Sequence, residues 1–168
     1  MPNDLPQPMN PRVMRAARLH GRRDLRLESL PRPTPQRGEV LLRVASVGVC
    51  GSDVHYFLHG RIGDQVVTAP IIMGHEFSAW VAKLGDGVEG LEIGQSVAVE
   101  PGISCGSSES CLTCHPNLCP DVRFCGTPPI DGVFAEYTVM PARNCFPLPG
   151  DLGPVDGALL EPLGIAIH

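Results

Sequence analysis

Nineteen glycines and eighteen prolines in 168 residues constrain this chain more than any other feature. Together they approach twice the roughly 12% of an ordinary soluble protein. Neither residue is tolerated inside long helices, which argues against a coiled coil or a helical bundle. The glycines follow no three-residue period, so a collagen helix is excluded. Hydrophobic residues make 43% of the chain and charged residues 18%, which is enough apolar material for a core. The length suits one domain, or one domain and a fragment.

Along the chain, residues 1–12 hold four prolines and no periodicity, and read as a mobile tail. Residues 13–30 suggest two short strands about a turn at Gly21. Pro31, Pro33 and Pro35 form an extended connector. Residues 39–49 are the strongest strand pattern, and residues 50–58 suit a short helix with Ser52 as a candidate N-cap. Strands follow at 75–84, 94–99, 133–140 and 144–148, and helical character begins at Gly157. Residues 101–132 form a Gly/Pro/Cys-rich excursion without periodicity, and a stretch of that length needs a local organiser such as a metal. Many short strands with frequent turn signals indicate a barrel or sandwich. Residues 85–90, GDGVEG, fit a dinucleotide glycine pattern. They are followed by a turn and a strand rather than a helix, so they read as a hairpin connection.

Thirteen basic against eighteen acidic residues give a net charge of −5, and Lys83 is the sole lysine. This balance argues against nucleic acid and acidic membrane surfaces as partners. No run of eighteen apolar residues exists to span a bilayer. The opening residues contain no apolar signal-peptide core, so the expected location is cytoplasmic. Seven cysteines in such a chain point to metal or catalytic chemistry before disulfides.

Two constellations carry that chemistry. Cys50 is followed, after 25 residues, by His75 and Glu76. A thiolate, an imidazole and a carboxylate are all zinc ligands, and three protein ligands with an open fourth position define a catalytic site. Spacing alone leaves open a buried structural cysteine and a surface His–Glu pair. Cys105, Cys111, Cys114 and Cys119 lie within fifteen residues of an irregular segment. They suit a tetrahedral structural zinc, or else a set of free thiols or a redox cluster.

Long ordered segments now carry a resemblance. They are GVCGSDVHYF at 48–57, HGRIGDQVV at 59–67, MGHEFSAWVAKLG at 73–85 and VAVEPG at 97–102. NLCPDVRF at 117–124, GTPPIDGVFAEYTVMPARNCFPLP at 126–149 and ALLEPLGIAIH at 158–168 complete the set. Across residues 13–168 the chain resembles the N-terminal part of a zinc-dependent medium-chain alcohol dehydrogenase, of the sorbitol (polyol) dehydrogenase group. The resemblance implies a mainly β, GroES-like, partly open barrel over residues 13–155, with a zinc-binding lobe at about 101–125. Residues 156–168 are then the start of a helix linking to a Rossmann domain.

The resemblance also implies roles. Cys50, His75 and Glu76 match the catalytic-zinc positions, and Glu161 a carboxylate close to that zinc. Ser52 and His55 match a proton relay toward solvent. Tyr56, Phe124 and Thr127 match positions lining the substrate pocket. The implied reaction oxidises a secondary alcohol or polyol, with hydride passing to NAD. In the lobe, Cys105, Cys111 and Cys119 match three of four family cysteines. Ser108 stands at the remaining position, and Cys114 is a candidate substitute. No strand–GxGxxG–helix unit follows, so NAD or NADP binding belongs to a missing Rossmann domain. The chain is expected to be a fragment or truncated product, inactive alone, with homo-oligomers a property of the complete enzyme. The rival reading is a non-catalytic zinc-binding or interaction module on the same fold.

Overall fold

The computed structural model describes residues 12–167, so the expected tail lies outside the described residues apart from Arg12. β1 (Val13–Gly21) and β2 (Asp24–Pro31) form an antiparallel hairpin. β3 (Glu39–Val47) leads into α1 (Gly51–His59). Three two-residue strands follow, β4 (Arg61–Ile62), β5 (Gln65–Val66) and β6 (Ile71–Ile72). β7 (Phe77–Leu84) and β8 (Ser96–Val99) come next. The lobe contains β9 (Gly102–Ile103), α2 (Glu109–Leu112) and β10 (Arg123–Phe124). β11 (Tyr137–Pro141), β12 (Cys145–Pro147) and α3 (Pro154–Ile167) complete the order.

The main sheet has five strands in the order β11-β3-β7-β8-β12, and a three-stranded sheet runs β2-β1-β6. The result is the mainly β, open GroES-like architecture expected, with a helix at its C-terminal end. Register shifts in β3 fall between Leu41 and Leu42 and between Val44 and Ser46. Such irregularities bend a strand and raise its twist, which curls the sheet around its contents. Val40, Leu42, Phe77, Ala79, Val81, Val97, Val99, Val133 and Met140 are buried together inside. A second cluster of Leu19, Tyr56, Ile71 and Met73 seats α1 against β1 and β6.

Several boundaries differ from the sequence pattern, for local reasons. β8 starts at Ser96 because Gly94, with φ +87°, turns the chain while its N–H donates to the Val81 carbonyl. β11 starts only at Tyr137. The residues before it cross the Met73–Gly74 backbone, where Val133 and Phe134 both donate to the Met73 carbonyl. Residues 85–90 connect the antiparallel strands β7 and β8. Helix α3 begins at Pro154, three residues ahead of the pattern. A proline is well placed in a first turn, and Asp156 accepts the Gly153 N–H at 2.8 Å. Ser78 Oγ donates to the Pro154 carbonyl and fixes the helix start to β7. No helix among the described residues is long and apolar enough to cross a membrane.

Candidate metal centres

The antiparallel pairing of β3 with β7 builds the first centre. Val47 at the end of β3 stands opposite Phe77 at the start of β7. Cys50 leaves that end of β3, and His75 and Glu76 enter at the adjoining end of β7. Two segments separated in sequence therefore meet at one sheet end. One ligand atom from each of Cys50, His75 and Glu76 lies within 4.8 Å of the others. Ligands of a tetrahedral zinc at 2.0–2.3 Å are roughly 3.5 Å apart, so small side-chain rotations suffice to close the set. The thiolate and the carboxylate together balance a 2+ ion.

The backbone around these ligands is held tightly. The Gly48 N–H donates to the Glu76 carbonyl at 2.7 Å. A side chain at position 48 would place its Cβ 2.3 Å from Glu76 Oε2, so glycine leaves room for that carboxylate. Gly74 adopts φ +89°, a region that glycine enters without penalty, directly before His75. His75 is buried, and the Phe124 ring meets it edge-on at 5.3 Å.

Asp53 is the residue that sequence reasoning passed over. It is 5% exposed, and its two carboxylate oxygens accept from Cys50 N–H and Gly74 N–H, each at 3.0 Å. One side chain thus joins the Cys50 turn to the His75 loop. The signal was present in the sequence. An acidic residue three positions after an N-cap is the reciprocal half of a capping box. The cap of α1 is Cys50 rather than Ser52, which sits inside the helix. Burial pushes the Asp53 carboxyl above its ordinary value, opposed by the Cys50 and Gly74 N–H groups and by His75.

The other sequence candidates divide. Glu161, half-buried on α3, has its carboxyl pushed up by burial, with His75 opposing and Glu76 and Glu100 adding to the rise. It also borders a cleft of about 220 Å³ with Glu100 and Phe146. Tyr56 is buried in the second core, hydrogen-bonded with the Thr127 side chain. His55 is exposed on α1, and Ser52 is half-buried.

The second centre lies in the lobe. Ligand atoms of Cys105, Cys111 and Cys119 lie within 4.8 Å of one another, with 3.9 Å between the Cys105 and Cys111 sulfurs. Cys114 is not brought to them. It follows the C-cap of α2 in a left-handed conformation, φ +63°, and is exposed. Ser108 instead caps α2 by accepting from Cys111 N–H, and its hydroxyl hydrogen-bonds with the Cys105 and Cys111 thiols. Asn144 anchors the lobe base, donating to the Glu100 and Gly102 carbonyls at 2.9 Å.

Hydrogen bonds from Ser107 and Ser108 lower the Cys105 thiol to about 5, whereas burial pushes Cys125 and Cys145 up to about 12. At neutral pH these values separate the thiolate fractions by roughly 10⁵, partly offset by the weaker nucleophilicity of a low-pKa thiolate. Metal-free protein treated with iodoacetamide at pH 7 is therefore expected to label Cys105 long before Cys125 or Cys145, as read by peptide mapping.

An open GroES-like barrel bearing a Cys–His–Glu donor set at one sheet end is the architecture of a zinc-dependent dehydrogenase domain. The alcohol dehydrogenase GroES-like domain family matches residues 36–150, and the chain belongs to it. Sorbitol dehydrogenase of Bacillus subtilis is 45% identical over 158 residues, covering 94% of this chain and 45% of the relative. The crystal structure of 2R,3R-butanediol dehydrogenase from Bacillus subtilis superposes with a TM-score of 0.80 at 36% identity, covering 92% of this chain and 46% of that one. An alcohol dehydrogenase from E. coli CFT073, complexed with NADH, gives a TM-score of 0.83 at 33% identity, covering 93% and 44%. The chain spans less than half the length of each.

Proposed function

We propose that this chain is the catalytic-domain part of a zinc-dependent polyol dehydrogenase that oxidises a secondary alcohol with NAD. The observation that carries this reading is the convergence of Cys50, His75 and Glu76 ligand atoms at one end of the β3–β7 pair. Bound there, zinc supplies Lewis-acid polarisation of an alcohol oxygen. The protein's own residues do the remainder. Asp53 holds the two ligand-bearing turns in register. Ser52 and the exposed His55 pass the alcohol proton along α1 toward solvent. Phe124 and Thr127, with the Tyr56 that Thr127 fixes, shape the wall for the substrate carbon chain. Glu161 provides a carboxylate beside the metal.

In the lobe, Cys105, Cys111 and Cys119 are the thiolates that would hold a structural zinc. Three thiolates can order a segment that has no core of its own. Seven free thiols suit a reducing compartment such as the cytoplasm. Hydride transfer needs a nicotinamide held against the substrate carbon, a task for a Rossmann domain, which also provides for homo-oligomers. A non-catalytic module on this fold would have no use for a Cys–His–Glu set with an adjoining carboxylate.

The test joins residues 1–167 to the second half of the B. subtilis sorbitol dehydrogenase. The chimera is expected to oxidise sorbitol with NAD, while the 168-residue chain alone shows no turnover. Cys50→Ser should lower kcat/KM by roughly 10³ or more, corresponding to several kcal/mol of lost Lewis-acid stabilisation. A folded chimera that binds NAD and zinc yet oxidises no polyol would refute the reading.

A further inference from the structure

Helix α1 carries a second pair of potential ligands that the first centre does not use. His55 and His59 are separated by one helical turn, and both are exposed. Their ring centroids lie 4.5 Å apart with the planes tilted by 48°. Neither ring makes a hydrogen bond or ion pair among the described residues. Side chains four apart on a helix are surface neighbours, and two histidines at this spacing on one helix face are a recognised metal-binding arrangement. Cis ligands at about 2.1 Å from an ion stand roughly 3 Å apart, which modest rotation of the two rings can reach. The helix fixes the two attachment points in advance, so only the side-chain rotamers remain for an ion to order.

Among the described residues, the remaining histidines offer no such pair. His20 is engaged by Glu28, His75 belongs to the Cys50 centre, and His115 stands alone at the lobe surface.

We infer that His55 and His59 form a separate bidentate site for a divalent transition-metal ion, with water completing the coordination. Imidazole pairs favour Ni²⁺, Cu²⁺ and Zn²⁺ over Mg²⁺ and Ca²⁺, so the ligand class is a borderline first-row cation. The site is distinct from the Cys50 centre although both use one helix. At 1.5 Å per residue, His55 is about 7 Å along the axis from Cys50. An ion held there withdraws the His55 ring from proton transfer. That consequence rests on the proposed relay, whereas the binding itself does not.

The test uses the 168-residue chain, loaded with zinc and dialysed, and titrated with Ni²⁺ by calorimetry. One Ni²⁺ per chain is expected. His59→Gln should weaken it by roughly tenfold or more, since the second imidazole acts as an intramolecular ligand. His115→Ala should leave it unchanged, and neither substitution should alter zinc content. Ni²⁺ binding that survives His59→Gln, or that disappears in His115→Ala, would overturn the assignment. A failure of the Cys50 centre would appear separately, as zinc content below expectation with the Ni²⁺ titration intact.

Discussion

Asp53→Ala is expected to weaken zinc binding at the Cys50 centre by roughly 10–100-fold, the range seen when groups that orient metal ligands are removed. The reason is geometric. Cys50 N–H and Gly74 N–H both donate to this one carboxylate, so its loss leaves two donors unpaired and frees two ligand-bearing turns from each other. A buried donor left unsatisfied costs about 1–3 kcal/mol. Asp53→Asn can accept from only one of the two and should fall between alanine and the parent. Zinc affinity by chelator competition, together with thermal melting, reads both effects. An Asp53→Ala protein with parental zinc affinity would show that the carboxylate only caps α1.

Gly132→Ala is expected to produce a large loss of stability for so small a change. A Cβ at this position would lie 2.3 Å from the Gly74 carbonyl oxygen and 2.6 Å from that of Met73. Both are backbone atoms, so no side-chain rotation can relieve the contact. The obstructed segment is also the one that Val133 and Phe134 bond to, and it runs directly into His75. Overpacking of this kind costs about 3 kcal/mol, and more where backbone must move. For a domain of this size that corresponds to a Tm lower by roughly 10 °C. Gly21→Ala, whose Cβ would meet nothing within 4 Å, is the matched control and should melt within a degree or two of the parent. Equal melting of the two variants would contradict the close approach of residues 73–74 and 132.

The sequence made some of this visible and hid the rest for physical reasons. Strong local patterns such as residues 39–47 and 77–84 appear as strands because alternation and β-branching are properties of the segment itself. Cys50, His75 and Glu76 stood out as candidates because their types are chemically explicit, while the resemblance, not their spacing, singled out the set. Asp53 did not stand out, since its importance comes from reaching Gly74, twenty-one residues away in the chain. Cys114 is the reverse case, a candidate by type whose sulfur lies outside the Cys105–Cys111–Cys119 group. It has the correct side chain, but the chain turns left-handed there and leaves it exposed. Residues 133–136 carry a strand pattern, yet their backbone groups are taken by Met73, Gly74 and β1 rather than by a ladder.

The central claim is that Cys50, His75 and Glu76 hold a zinc ion, and zinc counting by mass spectrometry tests it most directly. The parent chain is expected to carry two zinc ions. Cys50→Ser should lose one and keep the lobe ion, while Cys119→Ser should lose the lobe ion and keep the other. A single zinc that survives Cys50→Ser and vanishes in Cys119→Ser would place the metal in the lobe alone and contradict the catalytic centre.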